Sequence, residues 1–146
     1  MRITRLLLLA AVLFGSARAL RAQASASPAE AQVRAVVERY LHGLKFNNIQ
    51  DFEAAFWPDA KLLFVKKDGS LGQLTQQEWY KMFAGSAGKE EEGTLKILAI
   101  DVTDNAASVK VIETYAKSVY VDYLNMLQIA GEWRIVNKIY TSRPTH

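Results

Sequence analysis

Apolar residues recur every three or four positions in the first third of the chain. This spacing is typical of a helix with one buried face. Ser27-Pro28-Ala29-Glu30 stands in front of it as a helix start, with Ser27 placed to cap, Pro28 suited to the first turn and Glu30 completing the capping box. The pattern predicts a first helix over residues 28–46, whose apolar stripe is Val33, Val36, Val37, Tyr40, Leu41 and Leu44.

Two shorter helices and one hairpin are predicted between residues 49 and 84. Ile49, Phe52, Ala55 and Phe56 form a second apolar stripe, which we expect Pro58 to end. Asp68-Gly69 separates the apolar segments 62–65 and 71–74, as in a hairpin turn. A second capping box at residues 75–78 predicts a third helix that runs to about residue 84.

From residue 94 onward the pattern changes to β-type segments separated by turn residues. Short turns between consecutive strands predict an antiparallel meander. In the third segment, residues 119–129, apolar residues occupy both sets of alternating positions, so both faces of the strand should be covered. We expect helices on one face and leave open whether the second subunit of a homodimer covers the other. The fold class is α+β, with three N-terminal helices on a curved, mostly antiparallel sheet, and the four segments are 94–102, 107–115, 119–129 and 133–141.

The first 24 residues have the pattern of a secretory signal peptide. Arg2 and Arg5 precede the apolar run 6–14, and Ala22-Gln23-Ala24 follows as a small-residue cleavage site. The run is shorter than the roughly 20 residues of a membrane span. We therefore expect cleavage near Ala24, one domain over residues 25–146, a periplasmic or secreted location and no stable membrane anchor after cleavage.

Composition and charge narrow the function further. The 146 residues carry a net charge of +3, but four of the arginines lie in the leader, so residues 25–146 carry −1. Residues 25–146 therefore lack the net positive charge that is typical of nucleic-acid-binding proteins, and we expect no nucleic-acid partner. The absence of cysteine excludes a thiol nucleophile, and His42 and His146 have no metal-ligand spacing, so neither metal nor cofactor is expected.

Several segments resemble a known superfamily. The predicted element order, with Val36–Leu41 on the first helix and Phe56–Ala60 after the second, resembles the NTF2-like superfamily, a cone-shaped fold that includes ketosteroid isomerase and SnoaL-type cyclases. Residues 106–111, 122–127 and 131–140 resemble its putative lumazine-binding branch. Members of the branch commonly have histidine and lysine where this chain has Trp57 and Gln128. The resemblance implies one cavity, open at one end, for a small planar heteroaromatic or carbonyl-bearing ligand.

The likeness to ketosteroid isomerase implies roles for three residues. Tyr40 corresponds to the hydrogen-bond donor on the first helix, Phe64 to the catalytic base and Asn125, approximately, to the second donor. Phenylalanine cannot accept a proton, so we expect ligand binding rather than turnover. The alternative is a lyase or isomerase that uses another acidic cavity residue, for which Glu113 and Asp59 are the candidates.

The pattern of residues along the chain adds two candidates for ligand binding, Trp57 and Asn137. It also gives each of the two acidic candidates an alternative, structural role. Trp57 follows a helix end, where it either stacks on a flat ligand or closes the cone. Asn137 shares its alternation with Trp133 and Ile135, and a polar side chain in an apolar row implies a partner. Glu113 alternates with valines, which allows an interior carboxyl or an ion pair with a lysine, whereas Asp59 would order the turn at Pro58. The predicted ligand-binding residues are Tyr40, Trp57, Phe64, Asn125 and Asn137.

Overall fold

The elements agree in kind and order with those predicted from the sequence. The computed structural model describes residues 26–145, so the predicted signal peptide and cleavage site lie outside the described residues. The helices are α1 (Pro28–Phe46), α2 (Ile49–Ala55) and α3 (Gln76–Lys81), with a short 3₁₀ turn at Ala84–Ser86; the strands are β1 (Phe56–Val65), β2 (Leu71–Thr75), β3 (Gly93–Thr103), β4 (Ala106–Tyr115), β5 (Ser118–Ile129) and β6 (Glu132–Pro144).

Helix α1 begins and ends where local chemistry favours it. The Ser27 side chain accepts a hydrogen bond from the Glu30 amide, and Asn47 ends the helix in the left-handed conformation. Near that end, Gly43 lets α2 approach closely. A Cβ at this position would lie 2.5 Å from the Phe52 ring, so the missing side chain sets the distance between the two helices.

Pro58 lies within a strand, which corrects its predicted role as the end of the second helix. Helix α2 already ends at Ala55, and β1 runs through the proline. The pairing of β1 with β6 is interrupted between Phe56 and Lys61, and pairing with β2 starts only at Lys61. Because Pro58 pairs with neither neighbour, its missing N–H breaks no ladder hydrogen bond.

The six strands form one sheet in the order β2-β1-β6-β5-β4-β3. Every neighbouring pair is antiparallel except β1 and β6, which confirms the mostly antiparallel α+β prediction. The helices cover one face, where Val37 of α1 packs in a core with Val109 of β4 and Leu124 of β5. The opposite face is here called the outer face; its exposed apolar residues include Tyr123, Leu127 and Ile139.

A bulge in β6 changes which side chains face the helices. The β5–β6 register passes from Asn125 opposite Asn137 to Met126 opposite Ile135, so Val136 is an extra residue. On its N-terminal side Trp133 and Ile135 are buried, whereas on its C-terminal side the buried residue is Lys138. The expectation that Asn137 shares a face with Trp133 and Ile135 is therefore wrong, because the bulge reverses the alternation.

Candidate functional site

Three polar side chains from α1, β5 and β6 meet in the interior. The Lys138 ammonium lies 2.7 Å from Asp122 Oδ2 and donates a hydrogen bond of 2.7 Å to the Tyr40 hydroxyl oxygen. That hydroxyl in turn donates to Asp122 Oδ2 at 2.6 Å. Tyr40 and Asp122 are fully buried and Lys138 is 4% exposed. The short distances make this a charge-assisted network.

Glu113 of β4 adds a second carboxyl to this network. Its Oε1 lies 3.2 Å from the Tyr40 hydroxyl, and its Oε2 accepts a 3.2 Å hydrogen bond from the Tyr115 hydroxyl. The Lys138 ammonium is farther away, at 4.0 Å from Oε1. We call Tyr40, Glu113, Tyr115, Asp122 and Lys138 the buried polar cluster. It contains two carboxyl groups and one ammonium.

Burial and the neighbouring charges shift the pKa values in the cluster. Burial raises the pKa of Glu113 to about 8; the Lys138 charge acts against this rise, and the Asp122 charge adds to it. Burial by itself lowers the pKa of Lys138, but the carboxylates of Asp122 and Glu113 outweigh it and raise that pKa. Burial and then Asp122 raise the pKa of Tyr40 well above its usual value. Near neutral pH, Lys138 is therefore charged, Tyr40 is protonated, and Glu113 is the group close to its titration point.

A cavity of about 690 Å³ opens over this cluster. Glu113, Tyr115 and Lys138 line it and are here called the polar wall, while Tyr40 and Asp122 contact that wall from behind. This volume is within the range of small-molecule sites. The other lining residues are Trp79, Phe83, Tyr120 and Tyr140, the apolar Leu44, Leu74, Met82 and Ala116, and the polar Asn47, Glu90, Glu91, Glu92, Lys117 and Ser118.

Two of the predicted ligand-binding residues lie next to the cavity without lining it. Tyr40 is part of the buried polar cluster. The Phe64 ring lies 5.1 Å from the ring of Tyr140, which lines the cavity. Trp57, in contrast, is 40% exposed and is not a lining residue. The predicted binding roles of these three residues stay predictions.

The two predicted asparagines lie on the outer face. Asn125 Nδ2 donates to Asn137 Oδ1 at 3.0 Å, and Asn125 is exposed. Neither lines the cavity in which the sequence predicts them to bind a ligand, and their binding roles stay predictions. Asp59 is also exposed and lines no part of the cavity. Of the two acidic candidates, the structure brings Glu113 alone to the cavity wall.

Neither Lys138 nor Asp122 is among the ligand-binding residues predicted from the sequence. Asp122 alternates with Leu124 and Met126, and an acidic residue in such an apolar row signals a buried partner. That signal was available from the sequence. Lys138 gave none, because only the bulge at Val136 turns it inward.

The described part of the chain has neither a candidate metal site nor a candidate membrane-spanning helix. Between residues 26 and 145 no group of three or more His, Cys, Asp or Glu side chains could hold a metal ion. None of the helices in that range is both long and apolar enough to cross a membrane.

Comparisons with known proteins agree with this architecture. An NTF2-like protein of unknown function from Silicibacter pomeroyi is 26% identical, with a TM-score of 0.68 over 77% of this chain and 94% of its own. An NTF2-like protein from Shewanella baltica is 24% identical, with a TM-score of 0.72 over 79% and 94% of the two chains. A ketosteroid isomerase-like protein from Erwinia carotovora atroseptica is 15% identical, with a TM-score of 0.58 over 77% and 94%.

The sequence itself matches a family over most of its length. A comparison of the chain with curated proteins found no match. Residues 28–141, which contain every element from α1 to most of β6, match the family described as putative lumazine-binding. The chain therefore belongs to the putative lumazine-binding family and has the NTF2-like fold.

Proposed function

We propose that the protein binds a small planar ligand, heteroaromatic or carbonyl-bearing, in the cavity over the buried polar cluster. The observation that carries the proposal is the contrast within the cavity: Glu113 and Lys138 form one part of its wall, and aromatic side chains, among them Trp79 and Phe83, form another. Ligand sites combine a largely apolar surface with a few converging polar groups in this way. The family description, putative lumazine-binding, agrees with a flat, polar-edged ligand.

The energetic disadvantage of the cluster supports a functional role. Replacing a buried ion pair by apolar residues of similar volume is often neutral or stabilising, so folding alone does not require these charges. Here two carboxyls and one ammonium share a site in which Glu113 and Lys138 are each 4% exposed. Because both residues also line the cavity, ligand recognition accounts for a cluster that folding does not need.

The aromatic part of the wall would supply most of the affinity. Burial of about 250 Å² of apolar ligand surface contributes roughly 6 kcal/mol before ordering costs. Trp79 and Phe83, whose ring centroids are 5.0 Å apart, offer a packed aromatic surface for this contact. We therefore expect micromolar or weaker dissociation constants.

A ligand screen with a cavity-blocking variant tests the proposal. Flavin precursors, steroids and small aromatic acids are titrated while thermal shifts and amide NMR shifts are followed. Ala116→Trp places a large ring at an exposed lining position and should abolish binding. Ala106→Trp, at an exposed position of β4 outside the cavity, is the matched control and should bind normally. No binding by any compound, or binding that survives Ala116→Trp, would refute the proposal.

A second candidate function is proton transfer by a lyase or an isomerase. It is favoured by one observation, the position of the Glu113 carboxyl at the cavity wall, where burial raises its pKa to about 8. A general base works best when its pKa is near the working pH. A steroid with a ketone and an unconjugated double bond serves as the test substrate, and ultraviolet absorbance follows conjugation. Glu113→Gln should abolish turnover, whereas Glu53→Gln, which replaces an exposed acidic residue, should leave it unchanged. Equal rates in the two variants would exclude this role for Glu113.

We also propose export, on the basis of the leader pattern alone. Expression of the full chain in a Gram-negative host should give periplasmic or secreted protein that starts close to residue 25. Deletion of residues 2–24 should leave the product in the cytoplasm. Cytoplasmic full-length protein with an intact leader would contradict this proposal.

A further inference from the structure

The buried polar cluster constrains the chemistry of the ligand, provided that the cavity is the binding site proposed above. We propose that the polar wall receives an uncharged hydrogen-bond acceptor, a carbonyl oxygen, and that the ligand binds when Glu113 carries a proton. Ligands that present a carboxylate or an ammonium group to this wall would bind more weakly.

The first argument is the balance of charge. The cluster has two carboxyl groups, Asp122 and Glu113, and one ammonium, Lys138, which lies 2.7 Å from Asp122 and 4.0 Å from Glu113. The nearer pair is neutral as a whole. A second carboxylate would then be a buried charge without a close counter-ion, which is unfavourable. Protonation of Glu113 removes that charge.

The second argument is the number of hydroxyl hydrogens. Tyr40 has one, and Asp122 at 2.6 Å takes it in preference to Glu113 at 3.2 Å. Protonated Glu113 and Tyr115 have two hydrogens between them. The Tyr40 hydroxyl oxygen, 3.2 Å from Oε1, can accept the Glu113 hydrogen within the cluster. Tyr115, which lines the cavity 3.2 Å from Oε2, can then turn its own hydrogen from the neutral carboxyl to a ligand oxygen. When Glu113 ionises, Tyr115 donates its only hydrogen to the carboxylate, and this part of the wall changes from donor to acceptor.

The third argument concerns charged ligands. A carboxylate would meet no unpaired cation in the wall, because Lys138 is neutralised by Asp122. An ammonium group would need ionised Glu113, whose pKa burial raises to about 8. A carbonyl oxygen needs neither change and finds a donor in the Glu113–Tyr115 pair. The arrangement therefore selects for a neutral acceptor near neutral pH.

The groups around Glu113 define how this selection depends on pH. The titratable groups that face Glu113 come from four elements: Tyr40 from α1, Tyr115 from β4, Tyr120 and Asp122 from β5, and Lys138 from β6. The residue paired with Glu113 on β3 is the uncharged Leu95. Burial raises the pKa values of Tyr40 and Tyr115, and the carboxylates raise that of Lys138. Near pH 8, the change of charge in the polar wall is therefore that of Glu113.

Three probes with the same ring separate the possible ligand classes. They are para-methylacetophenone, para-toluate and para-methylbenzylamine, titrated into the purified protein and followed by amide NMR shifts below and above pH 8. The ketone should bind best at low pH. Its dissociation constant should rise about tenfold for each pH unit above the pKa of Glu113, because only the protonated fraction is competent.

Variants and alternative outcomes decide the inference. Glu113→Gln keeps an N–H donor, so ketone binding should lose its pH dependence, while Glu53→Gln should keep it. The inference is overturned if toluate or the amine binds more tightly than the ketone at low pH, or if ketone affinity in the unmodified protein is constant through pH 8. Those results leave cavity binding intact as long as Ala116→Trp still abolishes it. Absence of binding by every aromatic probe overturns both proposals.

Discussion

Lys138 and Asp122 form a 2.7 Å ion pair in the interior of the fold, on neighbouring strands β6 and β5. In the register Lys138 stands opposite Leu124, which makes Asp122 its diagonal neighbour on the same face. The pair exists because the bulge at Val136 turns Lys138 toward the helices. One inserted residue thereby places the single ammonium of the buried polar cluster.

We predict that Lys138→Met strongly destabilises the protein. Removal of one partner leaves the Asp122 carboxylate buried without its counter-ion, which costs about 3–5 kcal/mol. Urea unfolding followed by circular dichroism gives the change in the free energy of unfolding. Lys96→Met, at an exposed lysine, is the control and should change it by less than about 0.5 kcal/mol. Equal stability of the two variants would mean that the ion pair contributes nothing to the folded state.

Stability should depend on pH through Glu113. Its pKa is raised on folding from 4.5 to about 8, so the folded state holds a proton that the unfolded state has lost between these values. The stabilisation from Glu113 is therefore complete below pH 4.5, falls as pH rises and is lost above about 8. Unfolding free energies of the unmodified protein and Glu113→Gln, measured across this range, should diverge with this sign. Parallel profiles would contradict the assignment.

Gly43→Ala should destabilise the contact between α1 and α2. Alanine is favoured over glycine inside a helix by about 1 kcal/mol. The new Cβ, however, would lie 2.5 Å from the Phe52 ring, and overpacking of this kind costs about 1–3 kcal/mol. We expect the clash to prevail and the melting temperature to fall. Gly85→Ala has open space around its new Cβ and should not lower the melting temperature, so a similar fall in both variants would show that the ring contact is not the cause.

The outer face leads to a prediction about assembly. Tyr123, Leu127 and Ile139 expose 40%, 41% and 44% of their surface there, and we propose that a homodimer covers them. Light scattering after size exclusion should give a dimer for the unmodified protein. Leu127→Glu should give a monomer, and Leu98→Glu, at an exposed leucine of β3, is a comparison for the effect of charge alone. A monomeric unmodified protein would remove this proposal.

Local sequence signals determined the elements and their order. The Ser27 cap and the Thr75–Glu78 capping box lie at helix starts as predicted, and the Lys66–Ser70 turn contains Gly69 with a φ of 82°. These features depend on residues within a few positions of one another. Strand lengths and the antiparallel meander follow from the same short-range pattern of apolar segments and turns.

Only the tertiary structure decided which polar side chains meet. Alternation along β6 predicts Asn137 inside and gives no reason to place Lys138 there, yet pairing with β5 inserts Val136 and exchanges the two. Such a register depends on contacts between segments that are distant along the chain, and it is selected by the packing of the whole sheet rather than by its own residues. The sequence therefore determined the scaffold, whereas the joining of Tyr40, Glu113, Asp122 and Lys138 beside one cavity was decided by strand pairing.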